Sequence, residues 1–433
     1  MPRSADKRTT PSATTGLPLF AVAAPGLEPI VAAELAGLGI APRIERGGVA
    51  WDGTLAELYG ANLRLRTASR IIMRLGQFRA RTFPELERYS RRLPWADYIT
   101  PDRPVQLRVS CHKSRLYHEK AVAERIQRAI AEVVGATNDS TPNHDTAPGS
   151  TRGKHHGGHG AATITAPGKP NQAPPTADPE DDGAHAQLVV VRFHYDRCTI
   201  SLDTSGALLH RRGYRQELAR APLRETLAAA LIIASGWDGD TPLVDPFCGS
   251  GTIPIEAALI ARRIAPGLAH PPDAPRGYAF QEWPGYDPEL WNTIVARAQA
   301  EIRPATAPIL GADRDRGAIA AATANAQRAG VLADIEFANQ PLSALQPPPE
   351  AGWLVTNPPY GVRIGERAPL RDLYATLGKI ARQRLPHWHI ALLSADPRLE
   401  HQLRIPLEHP IATRNGGIPV RIAVGSVPGP ASD

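Results

Sequence analysis

Short apolar runs alternate with helical segments over the second half of this 433-residue chain. Three of the runs end at Asp245, Asp313 and Thr356, and helical patterns lie between them. Strands that alternate with helices form a parallel sheet with helices on both faces. The sequence therefore predicts an α/β, Rossmann-like domain, which we place at residues 206–433. In such sheets, ligands bind at the carboxyl ends of the strands.

An Asn-Pro-Pro-Tyr turn directly follows the run that ends at Thr356. Pro358 and Pro359 fix two φ angles and remove two backbone donors, so the turn is stiff. The Asn357 side-chain oxygen and the Pro358 carbonyl can both accept hydrogen bonds from an amino group, and Tyr360 can stack on a planar ring. The turn predicts a clamp for a planar group that carries an amine, and a plain Pro-rich loop is the alternative.

A glycine turn follows the run that ends at Asp245. It contains Phe247, Gly249, Ser250 and Gly251, and its glycines allow a ligand to approach the backbone closely. The spacing fits neither the dinucleotide fingerprint nor a P-loop. A carboxylate at this strand end suits a cofactor with a positive centre, and S-adenosylmethionine carries both an ammonium and a sulfonium.

Asp313 ends the next apolar run along the chain. A carboxylate in this place can accept hydrogen bonds from both hydroxyls of a ribose. The alternative is a helix N-cap. Because Asp245, Asp313 and Asn357 end successive runs, we expect all three to face one crevice.

The first half of the chain lacks such turns and has a different organisation. We predict a disordered tail at residues 1–16, a small α/β module at 17–98 and a second module at 99–205. Residues 138–186 are rich in Pro, Gly, Thr and Asp and read as a disordered insertion. The net charge of +6 makes an anionic partner plausible. Three widely spaced cysteines and the lack of a long apolar run favour a cytoplasmic protein without a metal site.

The motifs together resemble those of the THUMP-domain class I RNA methyltransferases, and most closely the bacterial 23S rRNA guanine-N2 methyltransferases. The resemblance rests on residues 245–252 (Asp-Pro-Phe-Cys-Gly-Ser-Gly-Thr), on Asp313 with residues 325–330, and on residues 357–361 (Asn-Pro-Pro-Tyr-Gly). Residues 212–215 and 221–230 are similar to the segment that precedes the glycine turn in that group. Residues 25–28 resemble its amino-terminal ferredoxin-like module, and 99–205 look like its THUMP module.

The resemblance implies S-adenosylmethionine as cofactor and the exocyclic N2 amine of an RNA guanine as substrate. It adds Thr226 and Asn357 to the cofactor-binding residues. Gln340 stands where the family has an acid that accepts from the adenine amine, so Gln340 or a backbone group would substitute for that acid.

A basic set of residues is expected to bind RNA phosphates. Its members are Arg108, Lys113, Arg115, Lys120, Arg211, Arg212 and Arg215. Three alternatives to ribosomal RNA methylation stay open. Asn-Pro-Pro-Tyr also resembles the turn of adenine-N6 DNA and glutamine-N5 protein methyltransferases, a transfer RNA guanine is a second possible target, and a catalytically dead RNA-binding fold is the third.

Overall fold

The computed structural model describes residues 16–136, 186–216, 223–271, 275–360 and 367–429. Most of the expected tail and insertion lies outside these residues. None of the described helices combines the length and the apolar character that a bilayer crossing needs.

The described chain forms two sheets and the helices that cover them. The strands are β1 (Leu17–Val22), β2 (Arg43–Glu45), β3 (Gly48–Gly53), β4 (Arg70–Arg79), β5 (Val105–His112), β6 (Gln187–His194), β7 (Arg197–Asp203), β8 (Leu243–Asp245), β9 (Ile309–Asp313), β10 (Ile335–Asn339), β11 (Trp353–Thr356), β12 (His389–Ser394), β13 (Glu408–Asn415) and β14 (Ile418–Ser426). The α-helices are α1 (Glu28–Gly37), α2 (Leu55–Arg64), α3 (Phe83–Ser90), α4 (Glu119–Ala136), α5 (Glu225–Ser235), α6 (Thr252–Ala261), α7 (Pro288–Ala300), α8 (Arg316–Arg328), α9 (Arg367–Arg384) and α10 (Pro397–Gln402).

The amino-terminal sheet has seven strands in the order β2-β3-β1-β4-β7-β6-β5. Strand β4 pairs with β7, so one sheet runs across the module boundary that we predict at residue 98. All pairs are antiparallel except β5 with β6. One face of the β5–β6 edge packs on α4, because Val122, Ile126 and Ile130 on α4 share a core with Val189 and Val191 on β6.

The carboxyl-terminal sheet has the order β10-β9-β8-β11-β12-β14-β13. Strands β8 to β12 are parallel, whereas β14 runs antiparallel to β12 and to β13. The chain enters this sheet at the central strand β8. Strands β9 and β10 then follow on one side of β8, and β11 and β12 lie on the other side. This reversal confirms the predicted α/β, Rossmann-like fold, and it opens a crevice between the carboxyl ends of β8 and β11.

The two halves share buried contacts. Tyr278, Phe280 and Trp283, which follow α6, belong to the core of the amino-terminal half. The ring of Phe280 stacks on Tyr59 with centroids 4.4 Å apart. In the opposite direction, Leu27 joins the core of the carboxyl-terminal half. Each half therefore contributes side chains to the apolar core of the other.

Candidate active site

Three adjacent strands bring the polar residues predicted from the sequence to one edge of the sheet. Strand β8 pairs with β9 on one side and with β11 on the other, and all three run parallel. Asp245, Asp313 and Asn357 therefore lie at neighbouring carboxyl ends. Thr356 Oγ1 donates a hydrogen bond of 2.6 Å to Asp245 Oδ1 across the β8–β11 step. The expectation that these strand ends share a crevice agrees with this arrangement.

Asp245 is a buried carboxylate at the base of the crevice, with only 1% of its surface exposed. Its Oδ1 accepts from Thr356 Oγ1 and from the backbone N–H of Phe247, 3.1 Å away. Burial raises the pKa of Asp245 to about 7, although both hydrogen bonds act to lower it. The nearby charge of Asp313 raises this pKa further. A ligand with a positive charge would favour the ionised form of Asp245.

The glycine turn has the backbone geometry that its sequence requires. Gly249 has φ of 54° and Gly251 has φ of 84°, which side chains with a Cβ rarely adopt. A Cβ on Gly251 would also lie 2.9 Å from the Cβ of Ala322 on α8. Asn325 Nδ2 donates to the Ser250 carbonyl at 3.1 Å, so α8 holds the turn from behind.

Asp313 holds the same turn from the side. Its Oδ2 accepts from the backbone N–H of Gly249 at 3.1 Å, and its Oδ1 accepts from that of Asp315 at 2.9 Å. The N-cap of α8 is Asp315, whose side chain accepts from Gly317 and Ala318. Asp313 is therefore not the helix cap that we considered as its alternative role. Gln340 lies next to it, since its backbone N–H donates to the Asp313 carbonyl at 3.0 Å.

The Asn-Pro-Pro-Tyr turn leaves a buried acceptor without a partner. Asn357 Oδ1 is shielded from water and has no hydrogen bond within the described part of the chain. Such an oxygen costs about 1–3 kcal/mol unless a ligand satisfies it. Pro358 is buried, Pro359 is exposed and Tyr360 is half-buried. An amine that enters the crevice would find a desolvated acceptor at the end of β11, next to the strand that ends at Asp245.

Two other residues predicted to bind the cofactor are Thr226 and Phe247. Thr226 lies in the first turn of α5 and is 8% exposed. Within the described residues, no hydrogen bond joins its side chain to the turn or the clamp. Phe247 is partly buried and packs against the core that β12 and α9 share.

The predicted RNA-binding residues separate into exposed and buried groups. Arg108, Lys113, Arg115, Lys120 and Arg211 are exposed. Arg212 is buried and Arg215 is largely buried, contrary to the prediction.

Arg212 is 1% exposed, so it does not lie on a surface that RNA could contact. Its guanidinium pairs with buried Glu256 on α6 and also donates to the Arg66 carbonyl at 2.6 Å. The side chain of Arg215 is 12% exposed, pairs with Glu225 at 3.0 Å and donates to the Leu223 carbonyl. Arg212 therefore joins the two halves, and Arg215 holds the start of α5. Neither burial can be predicted from the sequence around these residues.

Further basic residues lie on the same sheet as Arg108, and among them Arg79, Arg192, Arg197 and His194 were not singled out from the sequence. On the face of the amino-terminal sheet opposite α4, the exposed residues Arg79, Arg197, His194 and His112 lie side by side on β4, β7, β6 and β5. Arg192 lies two residues before His194 on the same face. The alternation of polar and apolar residues could have identified this face, because Arg192, like Arg108, stands at a polar position of an alternating strand.

Three supporting residues of the crevice were also missed. From the sequence, Thr356 was treated only as the end of an apolar run and Asn325 only as part of a resemblance, and Asn415 was assigned no function. Asn415 Nδ2 donates to the Tyr360 hydroxyl at 2.7 Å. Fifty-five positions separate these two residues, so no local pattern could join them.

Comparisons with known proteins agree with this geometry. Residues 212–418 match the family described as UPF0020, RMKL-like, methyltransferase domain, and residues 18–72 match the RlmL ferredoxin-like domain. The chain is 33% identical over 410 residues to slr0064 of Synechocystis, which is named as a candidate RNA methyltransferase, with 94% of this chain and 96% of that protein covered.

A second relative and a solved structure extend the comparison. The chain is 34% identical over 417 residues to the ribosomal RNA large subunit methyltransferase K/L of Syntrophotalea carbinolica, with 93% of this chain covered. It spans about half of that relative, 52% of its length. The crystal structure of SMU.472, a candidate methyltransferase complexed with SAH, is 28% identical with a TM-score of 0.77, covering 97% of this chain and 100% of that one.

Proposed function

The chain belongs to the RMKL-like methyltransferase family, and we propose that it uses S-adenosylmethionine to methylate the exocyclic N2 amine of a guanine in RNA, with 23S ribosomal RNA as the substrate. The observation that carries this proposal is the buried, unpartnered Oδ1 of Asn357 beside the glycine turn. An aromatic amine supplies the donor that this oxygen lacks.

The residues of the crevice fit the proposed cofactor. S-adenosylmethionine supplies an electrophilic methyl group on a positively charged sulfur. Asp245 and Asp313 provide negative charge at two neighbouring strand ends, and Gly249 and Gly251 let a ligand approach the backbone. Asp313 already orders the turn through Gly249, so its carboxylate is fixed before a ribose arrives. Gln340 is close enough to Asp313 to line the same pocket.

The clamp would act by orienting the amine and keeping its lone pair available. The lone pair of a guanine amine is delocalised into the ring. When Asn357 Oδ1 and the Pro358 carbonyl accept both N–H bonds, they favour a pyramidal nitrogen whose lone pair points away from the ring. Tyr360 would hold the base by stacking, which contributes roughly 1–3 kcal/mol. Positioning therefore supplies most of the proposed rate enhancement.

The target base must leave its stack to reach this crevice. A base in a duplex cannot contact Asn357, so flipped or unpaired guanines are the proposed substrates. Single-stranded loops of folded RNA present such bases.

An exposed basic and aromatic surface supports RNA as the polymer. Lys113 and Tyr195 lie at the tips of adjacent turns, and Lys113 Nζ is 5.5 Å from the centre of the Tyr195 ring. Their φ values of 48° and 49° are strained for residues that are not glycine. Tyr195 is 58% exposed and Tyr117 is 66% exposed, so both rings are open to unpaired bases.

The basic row on the open sheet face extends this surface. Arg79, Arg192 and Arg197 contribute charge there, and Arg108 lies on the same face of β5. We propose that this face, together with Lys113, Arg115, Lys120 and Arg211, binds the phosphates of the substrate RNA. Each phosphate contact releases counterions, so the affinity should fall steeply with salt.

This surface is tested by the salt dependence of RNA binding. The variant Arg108→Glu with Arg192→Glu should weaken binding of a ribosomal RNA fragment and flatten its dependence on salt. Arg43→Glu is the matched control, because Arg43 is an exposed arginine on β2, at the other edge of the same sheet. Equal effects of the two changes would refute the assignment of the surface.

The activity is tested by mass spectrometry of nucleosides from a deletion strain. We expect N2-methylguanosine to disappear from one position of 23S ribosomal RNA and to return with the wild-type gene but not with Asn357→Ala. Loss from transfer RNA would instead support the transfer RNA alternative. If neither pool changes and calorimetry detects no heat with S-adenosylmethionine, the chain is a dead fold.

A further inference from the structure

We infer that Asn415 is a positioning residue that fixes the ring of Tyr360 in the crevice, an inference that rests on the proposed function. Asn415 ends β13 and lies beyond every motif that identifies the active site. Its Nδ2 donates to the Tyr360 hydroxyl at 2.7 Å, which is a short and direct hydrogen bond. The carboxyl-terminal hairpin would thus act on the reaction through a single side chain.

The hairpin presents Asn415 from a turn with little freedom. Asn415 pairs with Ile418, and Gly416 and Gly417 alone form the loop, with φ values of 53° and 86°. Two positive φ angles define the tight type I′ turn that joins antiparallel strands. A Cβ on either glycine would meet no atom within 4 Å, so the glycines serve the backbone and not a close contact.

The amino-terminal half supports the strand that carries Asn415. Gly26 has φ of 86°, and a Cβ there would lie 2.0 Å from the carbonyl oxygen of Ala412 on β13. Leu27 belongs to the same apolar core as Val420 and Ile422 of β14. The hairpin that carries Asn415 is therefore packed against the amino-terminal half.

Tyr360 needs such a restraint because it begins a connection rather than a rigid element. Its ring packs at the junction of two apolar cores, and burial raises the pKa of its phenol while the bond from Asn415 lowers it. Packing between the two cores limits the rotation of the ring, whereas the hydrogen bond to the hydroxyl at its far end fixes the direction of its long axis. The place of the stacking face would then be set before the base arrives.

A double-mutant cycle tests this role. Asn415→Ala should lower kcat/KM for RNA by about three- to tenfold, the usual effect of one lost hydrogen bond. The dissociation constant of S-adenosylmethionine should stay unchanged. In a Tyr360→Phe background, the same substitution should have almost no further effect, because the acceptor is already absent. Pro419→Ala, an exposed change beside the same turn, is the control and should behave like the wild type.

A second measurement tests the hydrogen bond without activity. In protein with 13Cζ-labelled tyrosine, the signal that Tyr360→Phe removes is assigned to Tyr360. Asn415→Ala should shift that signal, and Pro419→Ala should not. If Asn415→Ala leaves it in place, or lowers kcat/KM equally in both backgrounds, the inference is overturned. A wild type that binds S-adenosylmethionine but methylates no RNA would contradict the proposed function alone, and the tyrosine signal would still decide the role of Asn415.

Discussion

The hydrogen bond from Thr356 lowers the pKa of Asp245, so its removal should shift the pH range in which the protein binds S-adenosylmethionine. Thr356→Val keeps the shape of the buried side chain and removes its hydroxyl. The Asp245 carboxylate would then lose a donor at 2.6 Å and keep the one from Phe247. A hydrogen bond to an ionised group contributes about 1.5–3 kcal/mol, and about 1.4 kcal/mol corresponds to one pKa unit. The pKa of Asp245, already raised to about 7 by burial, should rise by about one to two more.

The sign of the effect follows from linkage. If the cation of S-adenosylmethionine binds ionised Asp245, affinity is lost as the pH falls through the pKa of this group. At pH 7, about half of the wild-type carboxylate is ionised, compared with about 1–10% in Thr356→Val. The dissociation constant at pH 7 should therefore increase about five- to fiftyfold, and the two proteins should converge above about pH 9.5. The same raised pKa makes unliganded protein less stable as the pH rises from about 4 to about 7, since the folded state binds the proton more tightly.

Calorimetric titration with S-adenosylmethionine between pH 6 and pH 10 checks this prediction. Thr356→Ser is the matched control, because it restores a hydroxyl and should restore the wild-type pH profile. A constant loss of affinity at every pH would mean that Thr356→Val acts through packing. That result would refute the electrostatic role assigned to Asp245.

Three further substitutions test the crevice and the junction of the halves. Arg212→Ala should lower the free energy of unfolding by about 3–5 kcal/mol, because it leaves the carboxylate of Glu256 buried without its cation; in urea melts, Arg211→Ala should have almost no effect. Gly26→Ala should also destabilise the protein, by at least about 1–3 kcal/mol, since its Cβ would overlap the Ala412 carbonyl, whereas exposed Gly37→Ala, with free space around its Cβ, should not. Asn357→Ala should reduce kcat by about a hundredfold and raise the cofactor dissociation constant only slightly, and a large increase of that constant would contradict its main role as an amine acceptor.

Most of the crevice could be predicted from the sequence because its residues follow directly from local rules. Asp245, Asp313 and Asn357 each end a short apolar run, and parallel strands bring such ends together. The positive φ angles of Gly249 and Gly251 were predictable because glycine is the residue that adopts them most easily. Even the Asn-Gly-Gly hairpin was recognisable, because two-residue turns favour these residues.

The missed residues depend on contacts between distant segments. Arg212 and exposed Arg211 are adjacent in sequence and equally basic, yet one is buried against α6 and the other faces solvent. Composition cannot separate such neighbours, because burial is decided by how the two halves meet. The seven-stranded amino-terminal sheet was missed for the same reason, since β4 pairs with β7 more than a hundred residues later.

The buried charges at the junction are better explained by specificity than by stability. Glu34 accepts from the backbone of Arg66 at 2.6 Å, Arg66 donates to the Ile264 carbonyl, and Arg212 bridges Arg66 and Glu256. Burial and the neighbouring guanidinium of Arg212 lower the pKa of Arg66 to about 10, so the cations are held at an electrostatic cost. An apolar interface of similar volume would be about as stable or more so, but it would tolerate sliding.

The hydrogen bonds that join Glu34, Arg66, Arg212 and Glu256 would form in only one register of the two halves. If the open face of the amino-terminal sheet binds RNA and Asn357 binds the target amine, a fixed register sets the distance between them. The junction would then select RNAs in which an unpaired guanine lies at that distance from a backbone segment. Replacing Arg212, Tyr214 and Glu256 together by Met, Phe and Leu should test this argument, because the buried Tyr214 hydroxyl donates to Glu256 and would otherwise lose its acceptor. The change should leave stability nearly unchanged and relax the choice of substrate among ribosomal RNA fragments of different loop spacing. Unaltered selectivity in a stable triple variant would show that the apolar contacts alone set the register.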